Sequence, residues 1–341
     1  MGRTAIITGI SGQDGSYLAK LLLGKNYHVI GIRRPNTPTD LWRFSELGIS
    51  QDVEMLDLDL QDKEEIISAL ENVKPDEIYN LGDQSSVQAS FYSPADAAQY
   101  SGFNALLLLE AVKETDRSIR FYQASSSEMF GASKISPQNE QTPFQPISPY
   151  GASKLTAHLG VGNFRKTYGL HASAGIMFNH ESPMRSLEFV TRKITYTLAN
   201  IACGAETVLS LGNIEARRDW GFAGDYVGAM WTMLQQDEPD DYVIATGNSY
   251  SVKSFTEKAA DRLGFKLIWE ESEEEIYGYD KISGRLLVNI DTSLYRPMDP
   301  DETVGDFSKA FKKLNWEPSV GFDELIGLMV DADLKRVQIK K

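Results

Sequence analysis

Cysteine is almost absent from this chain: Cys203 is the only one in 341 residues. No intrachain disulfide can form, and no zinc centre built on clustered thiolates is possible. Histidine is scarce as well. The four present, His28, His158, His171 and His180, are scattered, and a structural or solvated role is expected of each. Positive charge is in deficit, with 34 Lys and Arg against 48 Asp and Glu, for a formal charge of −14. A field of that sign repels nucleic acid and anionic lipid, so neither is expected as a partner. No apolar run reaches membrane-spanning length, which again predicts no membrane partner. Met1-Gly2-Arg3-Thr4 runs straight into an apolar strand pattern, without the successive regions of a secretory signal, so a cytoplasmic location is expected. The remaining composition, 42% hydrophobic and 24% charged, is ordinary for a globular protein with a sizeable core.

Strand-length apolar runs alternate with helical patterns from the start. Strands are predicted over 4–8, 27–32, 53–58, 77–81 and 120–124, with helices over 15–23, 63–71 and 105–112 between them. Such alternation implies parallel βαβ units and an α/β fold, a doubly wound parallel sheet of Rossmann type covered on both faces. Beyond about residue 180 the alternation weakens. Helices are predicted over 190–203, 226–234 and 322–336, a strand over 208–211, and the acidic run 270–275 as a solvated face or loop. The expected organisation is a nucleotide-binding domain over 1–180, to which a segment about 213–248 returns. A smaller mixed α/β substrate domain fills most of 181–341. Ligands in such sheets bind beyond the carboxyl ends of the strands.

Between the first strand and helix stands Gly9-Ile10-Ser11-Gly12-Gln13-Asp14-Gly15. Glycines there permit a tight turn and let the backbone approach a pyrophosphate at a helix N-terminus. The second strand is followed by Arg33-Arg34, where an NAD site usually carries an acid for the ribose 2′-hydroxyl. Two arginines suit a 2′-phosphate instead, so NADP is the expected cofactor. Tyr150 and Lys154 form Y-x-x-x-K, four residues apart on one helical face, and Ser126 lies upstream. A nearby ammonium favours the phenolate, which matters because an unperturbed tyrosine titrates near ~10. Glu128 stands two residues beyond Ser126. A carboxyl group in a partly buried pocket can serve as base and then acid, the pair of tasks that eliminating water from a hexose demands.

With these motifs the chain resembles the GDP-mannose 4,6-dehydratases, members of the extended short-chain dehydrogenases. The resemblance spans nearly the whole chain, through TGISGQDGSYLAKLLL from Thr8, PDEIYNL from Pro75, FYQASSSEMFG from Phe121, SPYGASK from Ser148 and FNHESP from Phe178. It continues through FVTRKIT from Phe189, RRDWGFAGDYV from Arg217 and YRP from Tyr295. It implies catalysis by Ser126, Glu128, Tyr150 and Lys154, with Gly9, Ser11, Gly12, Gln13, Asp14, Gly15, Arg33 and Arg34 around the cofactor. Asp59 and Leu60 would lie by the adenine, and Gln84, Tyr150, Lys154 and Asn179 would also line the cofactor site. Asn179, Lys193, Arg218, Arg296 and Asp299 would meet a GDP-sugar. It further implies a homo-oligomer, a tetramer rather than a dimer, interlocked through the loop after Arg34 and around Met184-Arg185.

Four places depart from the family pattern, one of them the loop Pro35-Asn36-Thr37-Pro38 after Arg34, which stands for a serine-rich one. Ser126 stands for a threonine. Asp299 stands for a glutamate. Gly82-Asp83 replaces small apolar residues, placing a carboxylate that should repel cofactor phosphates unless it points away or meets Arg33 or Arg34. A GDP-heptose substrate, a reductase of GDP-4-keto-6-deoxymannose, an epimerase and a non-catalytic NADP sensor are the competing readings.

Overall fold

The computed structural model describes residues 2–37, 39–271 and 276–339. Its centre is a seven-stranded parallel sheet. Six strands are β1 (Thr4–Thr8), β2 (His28–Arg33), β3 (Glu54–Asp57), β4 (Glu77–Asn80), β5 (Arg120–Ser126) and β6 (Ala172–Met177). The seventh, Asp241–Ile244, pairs with β6 and makes one edge, and the order continues β6-β5-β4-β1-β2-β3. The chain runs outward from β1 to β3 and then restarts on the other side of β1 with β4. The carboxyl ends of β1 and β4 therefore flank a topological switch point.

Alternation within each strand dictates how the sheet is covered. Ala5, Ile7, Tyr79 and Tyr122 point to one face, where α1 (Gln13–Gly24) and the helix Ala223–Gln235 pack. Ile6, Ile78 and Phe121 point to the other, against helices Lys63–Val73, Asn104–Thr115 and Pro149–Tyr168. A second lobe packs helices Val190–Ala202, Val252–Arg262 and Phe322–Ile339 around Ile194, Leu198, Phe255, Val288 and Met329. Its four-stranded sheet runs Leu267–Glu271, Ile276–Asp280, Leu286–Ile290, Leu209–Leu211.

Among the strands that escape the sequence reading are β6 and three within 267–290. The run AlaSerAlaGly that opens β6 has little strand character. At 175 glycine is required, because a Cβ there would sit 2.5 Å from the Tyr122 hydroxyl and 2.9 Å from the Met177 sulfur. The strands at 267–290 lie where only short segments with turns are expected. Glu270 and Glu271, assigned to a solvated face or loop, belong to the strand Leu267–Glu271. The rest of that acidic run, 272–275, lies outside the described residues.

One buried ion pair fixes the second lobe against the segment that enters the cleft. Asp333, fully buried in the last helix, accepts from Arg192 Nε at 3.1 Å, Thr195 Oγ1 at 2.8 Å and Arg336 at 2.8 Å. Arg192 in turn donates to the Arg185 carbonyl at 2.6 Å. Removing the carboxylate strands a buried guanidinium, so Asp333→Ala is expected to lower unfolding free energy by about 3–5 kcal/mol in urea denaturation. A loss below about 1 kcal/mol, as for an exposed pair, contradicts this role.

Candidate active site

A cleft of about 580 Å³ opens at the carboxyl ends of β1, β4 and β5 and extends to the second lobe. Its floor is the glycine turn. Gly9 has φ of +66°, and a Cβ there would lie 2.8 Å from the backbone of Leu81 and Gly82. A Cβ on Gly15 would lie 2.5 Å from the Gly9 carbonyl oxygen and 2.6 Å from Ile10 Cα. Gly12 caps α1 without a side-chain hydrogen bond, leaving first-turn N–H groups for a ligand. Asp14, in that first turn, would repel an anion, but it is paired with His180 at 2.7 Å. Burial disfavours its charge, yet His180 and Gln13 hold the Asp14 carboxyl down at about 2. The same pair raises His180, where the Asp14 carboxylate outweighs the opposing effect of burial. Gln13 donates to the His180 carbonyl at 3.0 Å and accepts from Ser182 at 2.7 Å.

Around the second wall the chain brings four side chains together. Ser148 caps the helix Pro149–Tyr168 by accepting from Gly151 N–H at 3.0 Å, and Pro149 occupies its first turn. Tyr150 follows at once, its N–H donating to Ser90 Oγ at 3.2 Å. Lys154 lies one turn on and donates to the Ala124 carbonyl at 2.8 Å. Ser126 ends β5, and its Oγ accepts from the Glu128 N–H at 3.2 Å. A Cβ on Gly151 would meet the Glu128 carbonyl oxygen at 2.5 Å. The missing side chain at 151 is what lets the turn holding Glu128 lie against the Tyr-Lys helix. Burial, and next the Asp83 carboxylate, push the Tyr150 phenol well above its usual range, against a hydrogen bond from Ser126. Burial also raises Glu128, against the pull of Arg296 and Arg218.

The far wall is cationic. Arg218 and Arg296 share one oxygen of Asp299, at 2.7 and 3.0 Å. Asn179 and Lys193 line the same cleft, and partial burial lowers Lys193. The sequence-selected groups Gly9, Gly12, Gln13, Asp14, Gly15, Ser126, Glu128, Tyr150, Lys154, Asn179, Lys193, Arg218, Arg296 and Asp299 thus meet in one cavity. Others lie apart from its walls. Arg33 pairs with Asp57 at 2.6 Å, and Arg34 stacks over Tyr100 at 4.4 Å. Asp59 accepts from Gln61 N–H at 3.0 Å, Leu60 packs on the core beneath, and the Ser11 carbonyl accepts from Arg43. Gln84 keeps a buried side-chain oxygen without a partner. Asp83 neither points away nor meets Arg33 or Arg34; it pairs with Lys154.

Three residues of this region were not assigned to the catalytic or binding site from sequence. His180 sits inside the quoted FNHESP block, and its proximity to Asp14 is purely tertiary. Arg43 is buried and bonds both the Ser11 and Met184 carbonyls, joining the glycine turn to the segment before Arg185. Arg185 itself lines the cleft beside Glu181.

A parallel sheet with a glycine turn at its switch point and a Ser-Tyr-Lys set at the carboxyl edge defines a short-chain dehydrogenase-type fold. Solved structures agree on that fold. UDP-glucose 4-epimerase of Thermotoga maritima superposes with a TM-score of 0.81 at 21% identity, covering 98% of this chain and 99% of that one. A dTDP-glucose 4,6-dehydratase of Bacillus anthracis in complex with NAD gives 0.80 at 20% identity, covering 99% and 98%. The GDP-mannose 4,6 dehydratase family profile matches residues 6–329, and the chain belongs to that family. The Cricetulus griseus GDP-mannose 4,6 dehydratase is 48% identical, over 98% of this chain and 92% of its own length. The Vibrio cholerae GDP-mannose 4,6-dehydratase is 44% identical, over 99% and 95%.

The glycine contacts yield a direct test. The atoms facing a Cβ at Gly15 are backbone on a turn that cannot retreat, so overpacking should cost about 1–3 kcal/mol. Gly15→Ala is therefore expected to melt earlier and to bind a nicotinamide dinucleotide at least ~10-fold more weakly, the equivalent of ~1.4 kcal/mol. Calorimetric titration showing native affinity in this variant would contradict the turn's assigned role.

Proposed function

We propose that the protein eliminates water from GDP-mannose to give GDP-4-keto-6-deoxymannose, a hydro-lyase by reaction type. The observation that carries this reading is Glu128, held by Gly151 and Ser126 beside Tyr150 and facing the arginines of the far wall. A redox enzyme alone has no need of a second acid–base group there. The relatives named as GDP-mannose 4,6-dehydratases support the choice of sugar.

Residues of the glycine turn, with Arg33, Arg34, Asp59, Leu60, Gln84, Lys154 and Asn179, would hold the nicotinamide cofactor. Gly9, Gly12 and Gly15 line the cleft beside the uncapped first turn of α1, which fits such a dinucleotide. When bound, the nicotinamide supplies a reversible hydride acceptor, so no reductant is consumed over the cycle. NADP is preferred because β2 ends in two guanidinium groups rather than a carboxylate. Tyr150 takes the proton of the C4 hydroxyl, with Ser126 hydrogen-bonded to the phenol. Glu128 removes the C5 proton, acidified by the new C4 ketone, and with Ser126 protonates the departing C6 hydroxyl. A carboxyl raised by burial can hold that proton and then release it. Arg218, Arg296 and Lys193 would bind the diphosphate, and Asp299 orients the two guanidinium groups.

The central sheet and the 181–341 lobe divide cofactor and sugar between them, with the edge strand Asp241–Ile244 returning to the first. A homo-oligomer is supported by exposed apolar Tyr92, Phe103 and Leu159 on neighbouring helices, and the choice of a tetramer over a dimer rests on the family resemblance. No helix among the described residues is long and apolar enough to cross a membrane, and the paucity of cysteine supports a cytoplasmic site of action. The test is product mass after incubating purified protein with GDP-mannose and a trace of NADP. Loss of one water with no net cofactor reduction is expected. Unchanged substrate, or stoichiometric NADPH formation, overturns the reading.

A further inference from the structure

Lys154 carries three donors, and two are already committed. One goes to the Ala124 carbonyl at 2.8 Å, and the other serves the ion pair with Asp83. Both partners sit at the carboxyl edge of the sheet, Ala124 in β5 and Asp83 just beyond β4. The ammonium stands 5.6 Å from the Tyr150 ring centroid. The pair is nearly closed to solvent, with side-chain exposures of 4% for Lys154 and 10% for Asp83, so screening is weak and the two charges act locally. A lone ammonium at this place would favour the phenolate. A neutralised one does so far less.

We propose that Asp83 is a positioning residue for proton transfer at Tyr150: it anchors the Lys154 ammonium at the β4–β5 edge and offsets its charge, so the phenol gives up its proton only at a higher pH than it would beside a lone ammonium. This rests on the reading of Tyr150 as the C4 base. The surroundings of the phenol agree with it. Tyr150 faces Lys154 on its own helix, Asp83 from the loop after β4, Glu128 from the turn after β5, and Arg185 from the segment after Asn179–Glu181. Behind Glu128 stand Arg296, Arg218 and Asp299. Burial acts first to raise the phenol, Asp83 is the next contributor, and the Ser126 hydrogen bond opposes both. Asp83 and Lys154 also line the same cavity as the glycine turn. A hydroxyl-bearing ligand entering there meets a carboxylate able to accept from it and an ammonium with one donor still free. Asp83 thus sets the pH at which the first step begins.

The test uses the full chain, labelled at tyrosine Cζ with ¹³C and free of cofactor, with the Tyr150 resonance assigned by its loss in Tyr150→Phe. An opposite charge within reach shifts a titration by about 1–3 units, so Asp83→Asn should let Tyr150 ionise at least ~1 pH unit lower than in the native protein. Asp83→Glu should return it to near the native position, which a merely structural role would not do. Asp83→Ala serves equally should asparagine disturb the loop. The acid limb of single-turnover nicotinamide reduction on GDP-mannose should move the same way. A Tyr150 resonance that ionises with the native one, or stays unionised up to the highest pH at which the native fold persists, overturns the proposal. The resonance needs neither substrate nor cofactor. A shifted phenol in a protein that leaves GDP-mannose untouched would therefore sink the dehydratase reading and spare this one.

Discussion

The close approach of Gly151 to the Glu128 carbonyl is the constraint on which the site depends. The Tyr-Lys helix can reach the carboxyl end of β5 only where it lacks a side chain, because any Cβ at 151 would sit 2.5 Å from that oxygen. The approach sets Tyr150 against Ser126 and puts Glu128 in the same cleft. It also lets Lys154 reach Ala124 one strand residue pair away from Ser126. Two chemistry-bearing residues, one in β5 and one in its following turn, and two on the facing helix are thereby fixed by backbone packing rather than by flexible loops. Sites built on such elements hold their geometry with little reorganisation.

Electrostatics inside the cleft run against the charge of the whole. The surface is acidic, yet Arg218, Arg296, Lys193 and Arg185 converge on the cavity. Each local carboxylate is matched: Asp14 by His180, Asp299 by two arginines, Asp83 by Lys154. Glu128 is the partly buried exception, close to cations but without an ion pair among the described residues, and burial raises it; Glu188, also unpaired, is exposed. That difference separates a carboxyl suited to moving protons from carboxylates suited to orienting neighbours.

Much of this was legible in the sequence, for identifiable reasons. β1, α1 and the glycine turn follow from period-2 and helical patterning punctuated by glycine. The Tyr150–Lys154 spacing needs only the geometry of a helix. β6 was hidden because Tyr122 demands glycine at 175, and the small residues that open the strand carry no strand signature. The partner of Asp83 was hidden for another reason. Its loop and Lys154 are distant in sequence, and only the adjacency of β4 and β5 brings them together. His180 and Arg43 likewise acquire meaning only when the glycine turn and the segment after β6 are folded onto each other.

The central claim is that Tyr150 and Glu128 serve successive steps in one cleft. Rapid mixing of NADP-loaded protein with GDP-mannose, followed by nicotinamide absorbance and product mass, tests it most directly. Glu128→Gln should accumulate bound reduced cofactor while product formation falls ~10²–10⁴-fold, whereas Tyr150→Phe should show neither reduced cofactor nor product. Near-normal product from Glu128→Gln, or native-rate cofactor reduction in Tyr150→Phe, would contradict the account.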